Sequence, residues 1–143
     1  MNKFEQLGLN ESLLKAIIDL GFENPSEVQE KAIPLLLEKD TDMVALAQTG
    51  TGKTAAFGFP LIQKIDADNR NTQALVLSPT RELCLQITNE LKNYSKYEKG
   101  INVVAVYGGA SITEQARDIK RGAQIIVATP GRMQDMINRG LVN

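Results

Sequence analysis

The chain contains no histidine and no tryptophan. Without histidine, Ser-His-Asp and Cys-His nucleophilic catalysis and every imidazole metal site are excluded. The single cysteine, Cys84, has no partner for an internal disulfide and no histidine to draw off its proton, so it reads as a small packing residue in a reducing compartment. Aromatic residues make up only 5% of the chain, too few for a row of stacking platforms along a single-stranded nucleic acid. No apolar run approaches the ~18 residues that a membrane span requires, and the start, Met1-Asn2-Lys3-Phe4-Glu5-Gln6, lacks the apolar centre of a signal peptide. Excess charge is absent too. With 16 basic against 17 acidic residues the net charge is −1, so a polyanion would have to be gripped locally rather than drawn in by an overall field.

What is present is the composition of an ordinary globular chain: 143 residues, 43% apolar and 23% charged. That length suits one domain, which buries enough of its surface to need no staples. A cytoplasmic protein without a membrane contact is expected.

Short apolar runs recur at Met43-Val44-Ala45-Leu46-Ala47, Ala74-Leu75-Val76-Leu77, Val103-Val104-Ala105-Val106 and Ile125-Ile126-Val127-Ala128. None alternates with polar residues, as expected of strands covered on both faces in a parallel sheet. Helical patterns separate them. Leu83, Cys84, Ile87, Leu91 and Tyr94 form one apolar stripe, and Ser111-Ile112-Thr113-Glu114 has the form of a capping box that opens a helix with Ile112, Ala116 and Ile119 inward. Strand and helix in alternation imply an α/β fold of βαβ units: a parallel sheet with flanking helices. Ahead of the first strand, Asn10 caps a helix carrying Leu13, Leu14, Ile17 and Ile18, with Gly21 as its stop. A second helix is expected from about Pro25-Ser26 to Leu37, kinked or split by Pro34. This divides the chain into an N-terminal helical region, residues 1–40, and a nucleotide-binding core, residues 41–143. Asp66-Ala67-Asp68-Asn69-Arg70-Asn71 reads as a solvated loop.

The strongest chemical signal is Ala47-Gln48-Thr49-Gly50-Thr51-Gly52-Lys53-Thr54, a phosphate-binding loop with alanine for its first glycine. It follows a buried-strand pattern and precedes a helical one, so successive backbone N–H groups face a β-phosphate at a helix N-terminus. Gly50 and Gly52 admit close backbone approach. Lys53 places its ammonium between the β- and γ-phosphates, and the Thr54 hydroxyl ligates Mg²⁺. A bland reading sets this aside as a glycine-rich turn with a surface lysine.

The other apolar runs also end in polar, turn-forming sequences: Pro79-Thr80-Arg81-Glu82, Gly108-Gly109 and Thr129-Pro130-Gly131-Arg132. In a parallel sheet these ends share one edge, where ligands bind. Amides, threonine hydroxyls and the guanidinium groups of Arg81 and Arg132 can there hold successive phosphates without reading bases. Singly, each is equally readable as a cap or a turn.

In these residues the chain resembles the N-terminal part of the DEAD-box RNA helicases, ATP-dependent enzymes built from two RecA-like domains. Residues 47–54 look like motif I, Pro79-Thr80-Arg81-Glu82-Leu83 like motif Ia, Gly108-Gly109 like the GG motif and Thr129-Pro130-Gly131-Arg132 like motif Ib. Gly21-Phe22-Glu23-Asn24-Pro25-Ser26-Glu27-Val28-Gln29 looks like the Q motif, with Phe4 as the isolated aromatic 17 residues before Gly21. The resemblance implies a RecA-like P-loop NTPase fold, ATP and Mg²⁺ as cofactors, and sequence-independent RNA backbone as partner. It also implies that Gln29 reads adenine, Phe4 stacks on the base and backbone near Phe22 completes the pocket. Gln29 has a second reading, since Ser26-Glu27-Val28-Gln29 is also a capping box.

The resemblance also places an Asp-Glu-Ala-Asp motif, a Ser-Ala-Thr motif and a second RecA-like domain with an arginine finger after Asn143. The chain is accordingly expected to be a fragment with open strand edges that binds ATP and RNA backbone yet hydrolyses ATP negligibly, in a parent that couples hydrolysis to duplex unwinding. The competing expectations are another P-loop NTPase, which leaves Phe4, Gln29 and the other strand-end motifs unexplained, and a non-catalytic adenine-nucleotide or RNA binding module.

Overall fold

A computed structural model of the chain describes residues 3–38, 44–46 and 51–142. The apolar runs become strands: β1 (Val44–Leu46), β2 (Ala74–Leu77), β3 (Val103–Val106) and β4 (Ile125–Ala128). They form one four-stranded sheet in the order β1-β2-β4-β3, and every neighbouring pair is parallel. Around it lie α1 (Glu11–Asp19), α2 (Glu27–Glu38), α3 (Thr51–Lys64), α4 (Arg81–Tyr94), α5 (Ile112–Arg121) and α6 (Pro130–Asn138), with a short 3-10 turn at Glu5–Leu7.

The helix ends follow local chemistry. Asn10 Oδ1 accepts from the Leu13 N–H at 3.0 Å and opens α1. Gly21, at φ 82°, closes it: its N–H donates to Ile18 O and that of Phe22 donates to Ile17 O, both at 3.1 Å. This paired return needs a left-handed residue, which glycine supplies without a Cβ penalty. Leu13, Ala16 and Ile17 face the core, whereas Ile18 is 62% exposed. It lies about 100° round the helix from Ile17, beyond the buried stripe. Pro34 does not split α2: one helix, Glu27–Glu38, runs through it. The lost backbone bond is offset by burial of Ile33 and by packing of α2 along α3.

Two apolar layers sandwich the sheet. On one face Val76, Ile125 and Val127 pack with Phe4, Leu13, Ile17, Ile33, Phe59 and the whole predicted α4 stripe. On the other, Ile126 and Ala128 pack with Met133 and Met136 of α6 and with Ile112, Ala116 and Ile119 of α5. Successive β4 residues point to opposite layers, which is why this central strand is buried throughout without alternating in polarity. Residues of the N-terminal helical region thus share a core with the sheet. Within it, the Cys84 thiol donates to Val127 O at 3.2 Å, and burial raises its pKa, so it packs rather than reacts.

At the strand entrances Gln124 ties the layers together. Its Oε1 accepts from the Asn102 N–H at 2.8 Å and its Nε2 donates to Gly100 O at 2.6 Å. Its own carbonyl accepts from Gln73 and Ala74 N–H at 2.8 and 3.0 Å. No helix among the described residues is long and apolar enough to cross a membrane.

Candidate functional site at the strand exits

Register puts the last residues of the strands in a row. Leu46 pairs with Leu77, Leu77 with Ala128 and Val106 with Ala128. The ladder runs one step further, as Ser78 N–H donates to Ala128 O at 2.8 Å and Thr129 N–H to Val106 O at 2.9 Å. In chain order each of these strands is followed by a helix, β1 by α3, β2 by α4, β3 by α5 and β4 by α6, so four helix N-termini follow the strand exits. Each carries backbone donors that its own helix cannot satisfy and a partial positive charge.

Ala47, Gln48, Thr49 and Gly50 lie outside the described residues. The rest of the phosphate-loop pattern, Thr51, Gly52, Lys53 and Thr54, forms the first turn of α3. Thr54 is only 4% exposed. The first turn of α3 holds no acidic residue, unlike those of α1, α4 and α5, which carry Glu11, Glu82 and Glu114. Nothing in that turn offsets its partial charge, so it suits a polyphosphate, and the Thr54 hydroxyl is the group there that suits a hard cation.

Gln29 is 2% exposed and makes both bonds of a capping box. Its Oε1 accepts from Ser26 N–H at 2.9 Å, and its N–H donates to Ser26 Oγ at 3.3 Å. The capping reading is therefore realised in this conformation. Phe4, expected to stack on a base, is 0% exposed in this conformation, with ring centroids 6.1 Å from those of Phe22 and Phe59 in edge-on arrangement. In this conformation it packs in the core against Phe22. Phe22 itself is half-buried.

Along the rest of the edge, Pro79, Thr80, Arg81, Gly108, Gly109, Pro130 and Gly131 are exposed and Thr129 is half-buried. The Thr80 hydroxyl caps α4 by accepting from Leu83 N–H at 3.2 Å. Thr129 makes no such bond, leaving the start of α6, with Pro130 at its head, uncapped by a side chain. Gly109 sits at φ 85°, where a side chain would be strained, with Arg81 Nη1 3.4 Å from the place a Cβ would occupy. The Arg81 guanidinium lies over the Tyr107 ring, 5.1 Å from its centroid. Arg132 is half-buried and donates through Nη1 to Ala110 O at 3.1 Å and Gln115 Oε1 at 2.9 Å. Gln115 in turn donates through Nε2 to Tyr107 O at 3.1 Å. Neither Tyr107 nor Gln115 was singled out from the sequence; the available signal was an amide among the inward residues of α5, beside Ile112, Ala116 and Ile119.

A family model for the DEAD/DEAH box helicases matches residues 26–143. The chain belongs to the DEAD/DEAH box helicase family. It is 52% identical over 139 residues to the ATP-dependent RNA helicase CshA of Listeria monocytogenes serovar 1/2a, a match covering 97% of this chain and 26% of that protein. The crystal structure of a DEAD box protein from the hyperthermophile Methanococcus jannaschii superposes with a TM-score of 0.87 at 43% identity, over 98% of this chain and 38% of that one. Dbp5 of S. cerevisiae, solved bound to RNA and ADP BeF3, gives a TM-score of 0.83 at 33% identity, over 100% of this chain and 36% of that one. This DEAD-box chain thus spans about a quarter of the length of CshA, its 26% share. The expected RecA-like α/β architecture is the one these neighbours have.

Proposed function

We propose that the chain is the ATP-binding and RNA-backbone-binding part of an ATP-dependent RNA helicase. The observation that carries this reading is the register row that brings the ends of the four strands, each followed in the chain by a helix, to one edge. The triphosphate lies in the amides of residues 47–54. Lys53 stands between the β- and γ-phosphates, and the Thr54 hydroxyl holds Mg²⁺. When bound, the cation offsets charge on those phosphates. RNA phosphates meet Thr80, Arg81, the Gly108-Gly109 turn and the start of α6 at Thr129, Pro130 and Gly131. A second RecA-like domain closes over both ligands in the whole protein, which works in the cytoplasm.

Gln29 acts in two states. Without nucleotide it closes the capping box. With ATP its amide turns to adenine, whose N6 donor and N7 acceptor match an amide's paired acceptor and donor. The packing of α2 along α3 places this side chain's helix beside the phosphate-binding helix.

The test is a titration with ATP and GTP in Mg²⁺. The chain should prefer ATP by about tenfold or more, as a site built to pair polar edges rejects a mismatched one. Gln29→Glu separates the two roles, because glutamate serves a capping box equally well but cannot donate to N7. It should keep the wild-type unfolding midpoint and lose the preference for ATP. Equal binding of GTP by the unaltered chain would remove the adenine reading.

A further inference from the structure

Arg132 is oddly placed for a phosphate ligand. It is the third residue of α6, where a cation meets the positive end of the helix and is disfavoured. The side chain resolves this by carrying its head across to the turn before α5. Nη1 has two hydrogens, and Ala110 O and Gln115 Oε1 take both, at 3.1 and 2.9 Å.

Gln115 is just as unusual. It is 6% exposed on the inner side of α5, where an apolar residue would avoid the cost of burying an amide. Both ends of that amide are engaged, Oε1 by Arg132 and Nε2 by Tyr107 O. The turn from Tyr107 to Ala110 is therefore pinned at its first and last carbonyls. From the other side, the Arg81 guanidinium rests on the Tyr107 ring.

We propose that Arg132 is an internal strut rather than a phosphate ligand, and that Gln115 is the positioning residue that anchors it. Together they hold the Gly108-Gly109 turn in fixed relation to the starts of α4 and α6. Successive RNA phosphates then meet a preformed row of neutral donors, while Arg81 supplies charge. This rests on the RNA-backbone reading above and gives Arg132, expected from the sequence as a phosphate contact, a different role.

Salt dependence separates a strut from a ligand, because only a charge placed on a phosphate releases a counterion, with a slope of about 0.7 per contact on single strands. Affinity of the full chain for an oligouridine would be measured across salt concentrations. Arg132→Gln and Gln115→Leu should each weaken binding about tenfold at fixed salt, the loss typical of a bond to a charged group, with the slope unchanged. Arg81→Gln should lower the slope by about 0.7. A drop of that size in Arg132→Gln would overturn the strut. If the unaltered chain binds no oligouridine, the RNA reading itself fails, and hydrogen exchange still decides the strut. Amides of residues 108–111 should exchange about tenfold faster in either variant, with β2 and β4 unchanged. Unaltered exchange in that turn, or faster exchange throughout the sheet, would count against it.

Discussion

Phe59→Ala is expected to cost the folded chain about 3–5 kcal/mol, seen as a lower urea midpoint at unchanged slope. Phe59 lies on α3, is fully buried, and sits at the centre of an aromatic cluster. Tyr94 is 4.7 Å away between ring centroids, and Phe4 and Phe22 are each 6.1 Å away. Removing the ring forfeits its transfer free energy and leaves a hole among Phe4, Phe22 and Tyr94 that the surrounding chain must close. Alanine's better helix propensity returns only about 0.5 kcal/mol. Against the 5–15 kcal/mol that usually stabilises a domain, roughly a fifth or more would go. The effect reaches the site as well, because Phe59 backs Phe4 and Phe22 beside the proposed adenine pocket. Phe59→Leu, which refills most of the space, should recover most of the loss. A Phe59→Ala chain within about 1 kcal/mol of wild type would show that this cluster does not hold the N-terminal region to the sheet.

Much of this was legible in the sequence because strands buried on both faces leave unbroken apolar runs, and helices between them leave stripes. The runs at 74–77, 103–106 and 125–128 become strands with those same bounds, and the stripe from Leu83 to Tyr94 is buried throughout. Local pattern cannot supply what depends on distant partners. Ile18 has the type but not the phase of a core residue. Pro34 lies inside a helix that is not split, because α2 packs along α3. Phe4 is isolated in the sequence, yet the fold sets Phe22 and Phe59 edge-on to it. The strut between Arg132 and Gln115 joins residues 17 apart whose pairing only the fold discloses.

Lys53→Ala should reduce ATP affinity at least about 100-fold, equivalent to about 2.7 kcal/mol. The proposed ammonium makes charge-assisted bonds to two phosphate groups, and such bonds contribute about 1.5–3 kcal/mol each after exchange with water. Folding should not suffer, since alanine is the best helix former and this position opens α3. Lost binding would then report on the site rather than on the fold. ADP affinity should fall less than ATP affinity, because the γ-phosphate contact is already missing. An affinity unchanged within threefold would mean that the lysine is a surface residue on a glycine-rich turn.

The central claim is that a triphosphate sits on the main-chain donors at the start of α3. Hydrogen exchange of the full chain with and without saturating Mg-ATP tests it most directly. Slowed exchange confined mainly to residues 48–55, and absent from the Lys53→Ala chain, is the expected result. Saturable ATP binding that leaves those amides exchanging at their unliganded rates would contradict it.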